Sequence, residues 1–289
     1  MNYRHHFHAG NFADVVKHAL LVRLVTAMQR KDKGFLYLDT HAGRGGYDLE
    51  IAGQGDSLIR QPEWPQGIGR LWTAKKLPVF LQDYLASIRL YDRQQGNLGE
   101  QPRFYPGSPV LVSSLLRPQD RMALCEHQPD ECEILRSTMA RTDRCSVQNM
   151  DGYVALRAML PPPEKRALVL IDPPFESGDE FSSIVRAVRD GLRRLPGAVM
   201  AIWYPFTKRA RAENFYAQLR ELDLPPTALA EFVVAGESTS MKMPGCGVVL
   251  INPPWRFDAE ATPGLAGLAG LLAQDSGATG RYWWLVPER

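Results

Sequence analysis

Four consecutive residues, Asp172-Pro173-Pro174-Phe175, form the pattern in this sequence that most specifically indicates chemistry. They directly follow an apolar run at residues 167–171, which predicts a buried strand that ends at a carboxylate. A carboxylate and a backbone carbonyl can each accept one N–H of an exocyclic amine and thereby orient the amine toward a methyl donor. The N6 amine of adenine needs such help, because its lone pair is delocalised into the ring.

The prolines and the aromatic residue of this motif suit the same chemistry. Two consecutive prolines form a rigid turn whose carbonyls are not tied into helix or sheet hydrogen bonds. An aromatic ring just after them can stack on a base that is held outside its helix. We therefore predict that Asp172 is catalytic and that Pro173 and Phe175 bind the substrate.

A second motif of the same form, Asn252-Pro253-Pro254-Trp255, follows the apolar run at residues 247–251. Asn-Pro-Pro-aromatic motifs also serve amine methylation in related enzymes, so chain order must separate the two candidates. Asp172 follows the fourth main strand, whereas Asn252 follows the last strand of the sheet. If the fold is the usual methyltransferase sheet, this last strand is antiparallel, and its end lies at the edge opposite the cofactor. We therefore predict a structural role for Asn252.

A glycine-rich turn at residues 39–46 follows the predicted strand at residues 35–38. Glycines let the backbone turn sharply and approach a ligand closely, although a plain strand–helix turn has the same composition. A nicotinamide dehydrogenase would need an acidic strand end about 20 residues later. Glu50 lies near that distance but ends no apolar run, and Glu126, which does end one, comes much later. This spacing disfavours an unmodified dinucleotide-binding fold.

Short apolar runs alternate with helical stretches along most of the chain. This alternation predicts a mostly parallel sheet with helices on both faces, within a single domain of residues 1–289. Ligands of such sheets bind beyond the carboxyl ends of the strands, which is where Asp39, Glu126, Asp151 and Asp172 fall. Residues 51–103 contain no good strand, so we predict a small helical insertion subdomain there.

The composition is that of an ordinary globular protein, with 289 residues, 45% hydrophobic and 23% charged. The net charge of +2 is too small to indicate a nucleic-acid partner by itself. No apolar run approaches the roughly 20 residues that span a bilayer, and the polar start lacks the apolar core of a signal peptide. The four scattered cysteines predict reduced thiols in a cytoplasmic protein.

Taken together, these motifs resemble the amino-methyltransferases of the Rossmann-like class. More specifically, residues 3–11, 37–43, 105–109, 203–205 and 251–255 resemble the RlmJ family, which methylates adenine N6 in 23S ribosomal RNA. The resemblance spans nearly the whole chain, including the helical insertion. It implies a class I methyltransferase fold, with a mostly parallel seven-stranded sheet. One departure is Phe175, which stands where tyrosine is commoner in the family.

The resemblance also implies roles for individual residues. Tyr3 would touch the substrate adenosine, and Asp172 would act at the target amine. Glu126 at a strand end can accept from both ribose hydroxyls of the cofactor, and Asp151 can accept from its adenine amine. The residues that would contact S-adenosylmethionine are His18, His41, Ser108, Glu126, Asp151, Gly152 and Asp172.

The partners implied by the resemblance are 23S ribosomal RNA, naked or partly assembled, and no membrane or obligate protein partner. We expect a monomer. Other functions remain open at this point: the enzyme could modify DNA or a protein amide, or the chain could be a non-catalytic RNA-binding module.

Several charged or aromatic groups have competing interpretations. His5, His6 and His8 lack a nearby cysteine or carboxylate set, so we predict no metal site and instead a substrate-facing basic arm with Arg4 and Lys17. His18 and His41 could also be core histidines. A cluster of cations could form either a solvated helix face or an RNA-backbone patch: Lys208, Arg209 and Arg211. An aromatic run is predicted to form a final buried strand: Tyr282, Trp283 and Trp284.

Overall fold

The computed structural model describes residues 7–51, 61–236 and 239–288. Within these residues the helices and strands alternate as the sequence predicts. The strands are β1 (Leu36–Asp39), β2 (Gly46–Asp48), β3 (Phe104–Pro106), β4 (Arg121–Glu126), β5 (Cys145–Asn149), β6 (Ala167–Ile171), β7 (Val199–Phe206), β8 (Thr227–Val233), β9 (Gly245–Ile251) and β10 (Thr279–Val286). The α-helices are α1 (Phe12–Met28), α2 (Ile68–Trp72), α3 (Val79–Gln94), α4 (Ser108–Ser113), α5 (Pro129–Met139), α6 (Gly152–Met159), α7 (Glu180–Arg194), α8 (Arg209–Arg220) and α9 (Phe257–Leu272).

Eight of these strands form one sheet in the order β10-β8-β9-β7-β6-β1-β4-β5. The five strands from β7 to β5 are mutually parallel. Strand β9 lies antiparallel between β7 and β8, and β10 pairs antiparallel with β8 at the edge. The predicted α/β class and mostly parallel sheet are therefore confirmed.

The predicted strand count of seven is wrong, because β10 adds an eighth strand to the sheet. This strand contains the aromatic run that was expected to form a final buried strand. In the structure its residues 282–284 are only half-buried, since an edge strand has one neighbour and less cover. The strand assignment was correct, but the burial was overestimated.

Side chains of the central strand alternate between the two faces of the sheet. On β1, Leu36 and Leu38 join the core beneath α6, α7 and α8, whereas Tyr37 joins the core beneath α1, α3, α5 and α9. The strands are buried on both faces, so their sequences are continuous apolar runs. Each run ends where the chain leaves the sheet at a polar residue.

Helix α1 lies between the sheet and the helices of the insertion. It begins at Asn11, whose side chain accepts a hydrogen bond from the Asp14 backbone N–H at 2.9 Å. Apart from Arg23 and Thr26, every residue of the helix is buried. The buried set includes Asp14, Lys17 and His18, and burial of polar groups at this depth requires partners.

Residues 61–103 are helical and lie between the paired strands β2 and β3. They contain a short 3₁₀ helix at Trp64–Gln66 and the helices α2 and α3. One side of α3, with Phe80, Tyr84 and Ile88, is buried in the core that it shares with α1 and α9. Of the helices in the described ranges, none combines the length and apolarity that a membrane span requires.

Candidate active site

A cleft of about 1350 Å³ opens at the carboxyl ends of the parallel strands. This is the position where open α/β sheets bind their ligands. Tyr3, like Arg4, His5 and His6, lies outside the described residues. All other predicted site residues line the cleft: His18, His41, Ser108, Glu126, Asp151, Gly152, Asp172, Pro173 and Phe175.

The carboxylate of Asp172 meets a buried ammonium group from α1. Lys17 Nζ lies 2.5 Å from Asp172 Oδ2 and 2.8 Å from Asp14 Oδ1. Burial alone would lower the pKa of Lys17, but the carboxylates of Asp14 and Asp172 together raise this pKa well above its usual value. Lys17 therefore stays charged, and it fixes Asp172 at the end of β6.

Lys17 was predicted to add charge to a substrate-facing basic arm; it does line the cleft, but its charge is paired there instead of free. Its side chain is 6% exposed and points between two carboxylates. The local sequence contains one sign of this, because Asp14 and Lys17 are three residues apart on a helix and can pair. Nothing local indicates the contact with Asp172, which lies 155 residues away in the chain.

One oxygen of Asp172 is left available to a ligand. Among the residues that the structure describes, Lys17 is the only hydrogen-bond partner of this carboxylate, and it contacts Oδ2. Oδ1 therefore keeps its capacity to accept hydrogen bonds. The side chain is 17% exposed and belongs to the cleft lining.

The turn after Asp172 has a strained backbone at its aromatic residue. Phe175 has φ +52°, a region that bulky side chains rarely adopt. Its ring packs against Phe181 and Trp203, with centroid distances of 5.0 and 5.7 Å. Such strain persists only where the surroundings impose it, and it clusters at functional sites.

Asp39, at the end of β1, is a fully buried carboxylate below the cleft. It accepts hydrogen bonds from Ser108 Oγ at 2.6 Å, from Tyr37 OH at 2.8 Å and from the His41 backbone N–H. Burial raises the pKa of Asp39 to about 6, although the bonds from Ser108 and Tyr37 oppose this shift. The predicted cofactor residue Ser108 thus holds Asp39 as well as facing the cleft.

This pKa shift predicts a pH-dependent effect of Asp39→Asn on stability. The folded protein holds the Asp39 proton more tightly than the unfolded chain, so the wild type loses stability as pH rises from about 4 to about 6. The asparagine variant has no such loss. When the pH is raised from about 4 to about 7, the unfolding free energy of Asp39→Asn should therefore increase relative to that of wild type by up to about 3 kcal/mol. Urea unfolding at both pH values measures the change, and a constant difference would contradict it.

His41 is a neutral imidazole at the edge of the cleft. Burial lowers the pKa of its ring to about 4, although Asp172 and Asp151 oppose this shift. Thr40 Oγ1 donates to the Leu170 carbonyl, so at 2.8 Å from His41 Nδ1 it serves as the acceptor. His41 Nε2 is then left as a hydrogen-bond acceptor.

Glu126, at the end of β4, is held by the backbone. Its two oxygens each accept one N–H, from Gly43 at 2.9 Å and from Gln128 at 2.8 Å. Each oxygen retains a second acceptor site. Gly43, in the glycine-rich turn, reaches this contact with φ +62°, a conformation that favours glycine.

Asp151 and Gly152 form the start of α6 beside the same cleft. Asp151 caps the helix by accepting from the Tyr153 N–H at 2.7 Å. A side chain on Gly152 would place its Cβ 1.9 Å from the Thr40 carbonyl oxygen. Glycine is therefore required for α6 to approach the end of β1 this closely.

His18 has buried polar partners from the insertion and from β3. Its Nδ1 lies 2.7 Å from Tyr105 OH, which lies 3.0 Å from Tyr84 OH. The His18 and Tyr105 rings also stack at a centroid distance of 5.6 Å. At 2% exposure His18 is mainly a satisfied core histidine, although the cleft reaches it.

The cationic residues near the mouth of the cleft behave differently from one another. Arg209 pairs with Glu231 at 3.2 Å and is only half-exposed, which fits a structural role. Arg211 lies over the Phe181 ring and lines the cleft. His8, from the predicted basic arm, contacts Glu63 of the insertion at 2.9 Å. Of the predicted group Lys208, Arg209 and Arg211, only Arg211 lines the cleft, so these three residues do not form one uniform patch.

Asn252 lies at the opposite edge of the sheet from the cleft. Strand β9 runs antiparallel to β7, and Ile251 pairs with Met200 near the start of that strand. The Asn252 amide donates to the carbonyls of Pro196 and Ala198 at 2.8 and 2.9 Å. The predicted antiparallel direction is thus confirmed, and the side chain joins its own turn to the segment that leads into β7. The prediction that Asn252 follows the last strand is wrong, because β10 comes later in the chain and joins the same sheet.

Replacing Asn252 with alanine should lower stability without impairing chemistry in the cleft. The variant loses two hydrogen bonds and must keep φ +51° without an asparagine. We expect a loss of about 2 kcal/mol in unfolding free energy. Urea unfolding and steady-state kinetics measure the two effects. A tenfold fall in kcat with unchanged stability would contradict the structural role.

A parallel α/β sheet with acidic strand ends around one cleft, and with an Asp-Pro-Pro-Phe turn at that cleft, has the arrangement of Rossmann-like class I methyltransferases. The family model RsmJ, described as "Ribosomal RNA large subunit methyltransferase D, RlmJ", matches residues 32–286. The chain belongs to this family.

Two curated relatives and one solved structure resemble the whole chain. Ribosomal RNA large subunit methyltransferase J of Escherichia coli (strain K12) is 35% identical over 288 residues, which cover 100% of both chains. The protein of the same name from Haemophilus influenzae matches to the same extent. The crystal structure of protein LPL1258 from Legionella pneumophila superposes with a TM-score of 0.84 at 34% identity, over 96% of this chain and 97% of that one.

Proposed function

We propose that the protein transfers a methyl group from S-adenosylmethionine to the N6 amine of a specific adenine in 23S ribosomal RNA. Membership of a family of large-subunit ribosomal RNA methyltransferases supports the RNA substrate. The observation that carries the amine chemistry is the available Oδ1 of Asp172, fixed by Lys17 at the start of a strained Pro-Pro-Phe turn.

The residues present in the cleft fit the proposed cofactor. When bound, S-adenosylmethionine supplies an electrophilic methyl group on a positively charged sulfonium. Glu126 keeps two acceptor sites for ribose hydroxyls, and Asp151 lies where an adenine amine can be accepted. The described lining of the cleft holds eight acidic residues against four lysines and arginines, so the site favours a cationic ligand.

The chain's own groups then prepare the amine. Asp172 Oδ1 accepts one N–H, and the carbonyl of Pro173 accepts the other, which turns the nitrogen lone pair toward the methyl donor. The Asp172 carboxylate also stabilises the positive charge that develops on nitrogen. Lys17 holds this carboxylate in place, and Phe175 offers a ring on which the base can stack.

The target base must leave its helix to enter the cleft. The free energy needed to unstack an adenine is lowest in a loop, a bulge or partly unfolded RNA. Naked or partly assembled 23S RNA is therefore the proposed substrate. Tyr3, which the resemblance places at the adenosine, belongs to this proposal without structural support, because it lies outside the described residues.

The proposal also covers the organisation of the protein. Residues 1–289 would form one methyltransferase domain, in which residues 51–103 are a helical insertion subdomain. The core shared by α1, α3 and α9 supports one body rather than two. The protein would act as a monomer in the cytoplasm, where ribosomal RNA is made and assembled.

Methyl incorporation tests the proposed function directly. Purified protein and labelled S-adenosylmethionine are incubated with 23S RNA, with DNA or with ribosomal protein, and RNA products are digested to nucleosides. We expect label only in the RNA and only in N6-methyladenosine. Label in DNA or in protein would show that the substrate is not RNA. If calorimetry detected no binding of S-adenosylmethionine, the protein would instead be a non-catalytic module.

A further inference from the structure

The end of the sheet opposite the cleft carries an excess of positive charge. At that end, residues 221–226, which lead into β8, carry Glu221 and Asp223 and no cation. The positive part is formed by residues 29–35, 114–121, 140–144, 160–166, 193–198 and 252–256, which lead into the five parallel strands or follow β9. We call it the basic face. It holds twelve arginines and lysines against four acidic residues, whereas the whole chain holds 34 against 32.

Most of these cations have no acidic partner. Arg30, Arg117 and Arg121 are in ion pairs, with Glu260, Asp120 and Glu164. Within the described ranges, no carboxylate lies at ion-pair distance from the other nine. These are Lys31, Lys33, Arg141, Arg144, Lys165, Arg166, Arg193, Arg194 and Arg256.

The segments of the basic face form one continuous surface. Arg117 donates to the carbonyls of Gln29 and Lys31, and Arg166 donates to those of Met28 and Lys33. Arg144 similarly reaches Pro118, and Arg30 reaches Trp255. The five parallel strands have four gaps of about 4.8 Å, so this surface extends for about 19 Å across the sheet.

Helix dipoles explain only part of this charge. Arg193 and Arg194 occupy the last turn of α7, where cations are favourable. Lys165, Arg144 and Arg256 lie outside any final helical turn, and the dipole effect fades beyond it. A different reason is needed for these three cations.

The same three residues have positive φ angles, of 53° for Lys165, 55° for Arg144 and 58° for Arg256. Glycine and asparagine adopt this conformation at lower cost. The chain nevertheless has cations at three such turns on one face. Burial and the like charge of Arg117 also lower the pKa of Arg166.

We propose that the basic face binds the phosphate backbone of a second segment of the RNA substrate, away from the segment whose adenine enters the cleft. This inference rests on the proposed function, because it needs an RNA long enough to reach both ends of the sheet. Arginine suits phosphate particularly well, since its planar fork donates two parallel hydrogen bonds. Nine of the twelve cations are arginines.

An aromatic residue at the edge of the basic face favours RNA over a lipid surface. Trp255 is 72% exposed, and the Arg256 guanidinium lies over its ring at 5.3 Å. Exposed aromatic rings beside arginines offer stacking positions for unpaired bases. The second Pro-Pro-aromatic motif thus has an exposed ring that its structural role does not explain.

The salt dependence of RNA binding tests this inference. Lys33→Ala/Lys165→Ala removes two exposed cations that have no ion pair and whose side chains join no loops. Lys75→Ala/Lys76→Ala in the insertion is the matched control, since both lysines are exposed and lack ion pairs. Binding of fluorescent 23S RNA is measured by anisotropy over a range of salt concentrations, and thermal unfolding confirms that both variants fold.

We expect the variant of the basic face to bind RNA about tenfold more weakly, with its salt slope reduced by about 1.5 to 2. The control variant should match wild type. In methyl transfer, the KM for RNA should rise about tenfold while kcat and the Kd for S-adenosylmethionine stay within twofold of wild type.

Two outcomes would overturn the inference. One is equal RNA affinity and salt slope in wild type and both variants. The other is weakened binding to vesicles of phosphatidylglycerol and phosphatidylcholine in equal parts, with RNA binding unchanged, which would assign the face to a membrane. The binding assay needs no methyl transfer, so a wild type that binds RNA through this face but methylates none would refute only the proposed function.

Discussion

Asp172→Ala is expected to lower kcat for methyl transfer by about a thousandfold while the protein stays folded. The variant loses the only carboxylate oxygen that is proposed to accept the N6 N–H. Its fold should survive, because Lys17 keeps Asp14 as a partner at 2.8 Å. Labelled methyl transfer to 23S RNA measures kcat, and calorimetry with S-adenosylmethionine should show affinity within about threefold of wild type.

Asp179→Ala is the matched control for this substitution. Asp179 is an exposed carboxylate in the segment after the same turn, and it contacts Ser177 rather than the cleft. We expect wild-type kcat in this variant. If Asp172→Ala retained wild-type turnover, Asp172 would not be the residue that prepares the amine.

Lys17→Met is expected to have the largest effect on stability, a loss of about 3–5 kcal/mol in unfolding free energy. The substitution leaves Asp14 and Asp172 without the ammonium group that both contact within 2.8 Å. Both carboxylates then lose the Lys17 ammonium at a buried position, which is costly because water cannot replace this contact. Urea unfolding at about pH 7 measures the loss.

Two further variants make the Lys17 prediction specific. Lys208→Met replaces an exposed lysine and should cost less than about 0.5 kcal/mol. Lys17→Met/Asp14→Asn also removes one of the two carboxylates that Lys17 contacts and should recover part of the lost stability. A Lys17→Met loss below about 1 kcal/mol would show that the ion pairs contribute little.

The sequence predicted the sheet and the place of the cleft well, for a physical reason. Strands buried on both faces are continuous apolar runs, and in a parallel sheet their carboxyl ends share one edge. Asp39, Glu126 and Asp172 could therefore be assigned to one place from strand order alone. Strand order alone did not place Asn252; the usual methyltransferase sheet predicted an antiparallel strand before it, and that strand does end at the far edge.

The contacts that hold the site together could not be predicted in the same way. Lys17 and Asp172 meet only because α1 packs over the end of β6, and no local pattern encodes the angle of a helix on a sheet. A lysine near a histidine-rich terminus was assigned to a substrate-facing basic arm, since lysine is rarely buried without a partner. Its second partner lay 155 residues away.

The basic face could not be predicted from the sequence for a related reason. A net charge of +2 says nothing about where the charges lie. The cations belong to six separate segments, and they come together only at one end of the sheet. The substrate was inferred in a different way. The local chemistry of the motif indicates methylation of an amine, whereas the assignment of ribosomal RNA as the substrate depends on the family to which the chain belongs.

Mass mapping of 23S ribosomal RNA from cells that lack this protein tests the central claim most directly. We expect one N6-methyladenosine to disappear from the RNA. Expression of the wild-type protein should restore it, and expression of Asp172→Ala at the same level should not. An unchanged set of N6-methyladenosines in the deletion strain, or full restoration by Asp172→Ala, would contradict the account.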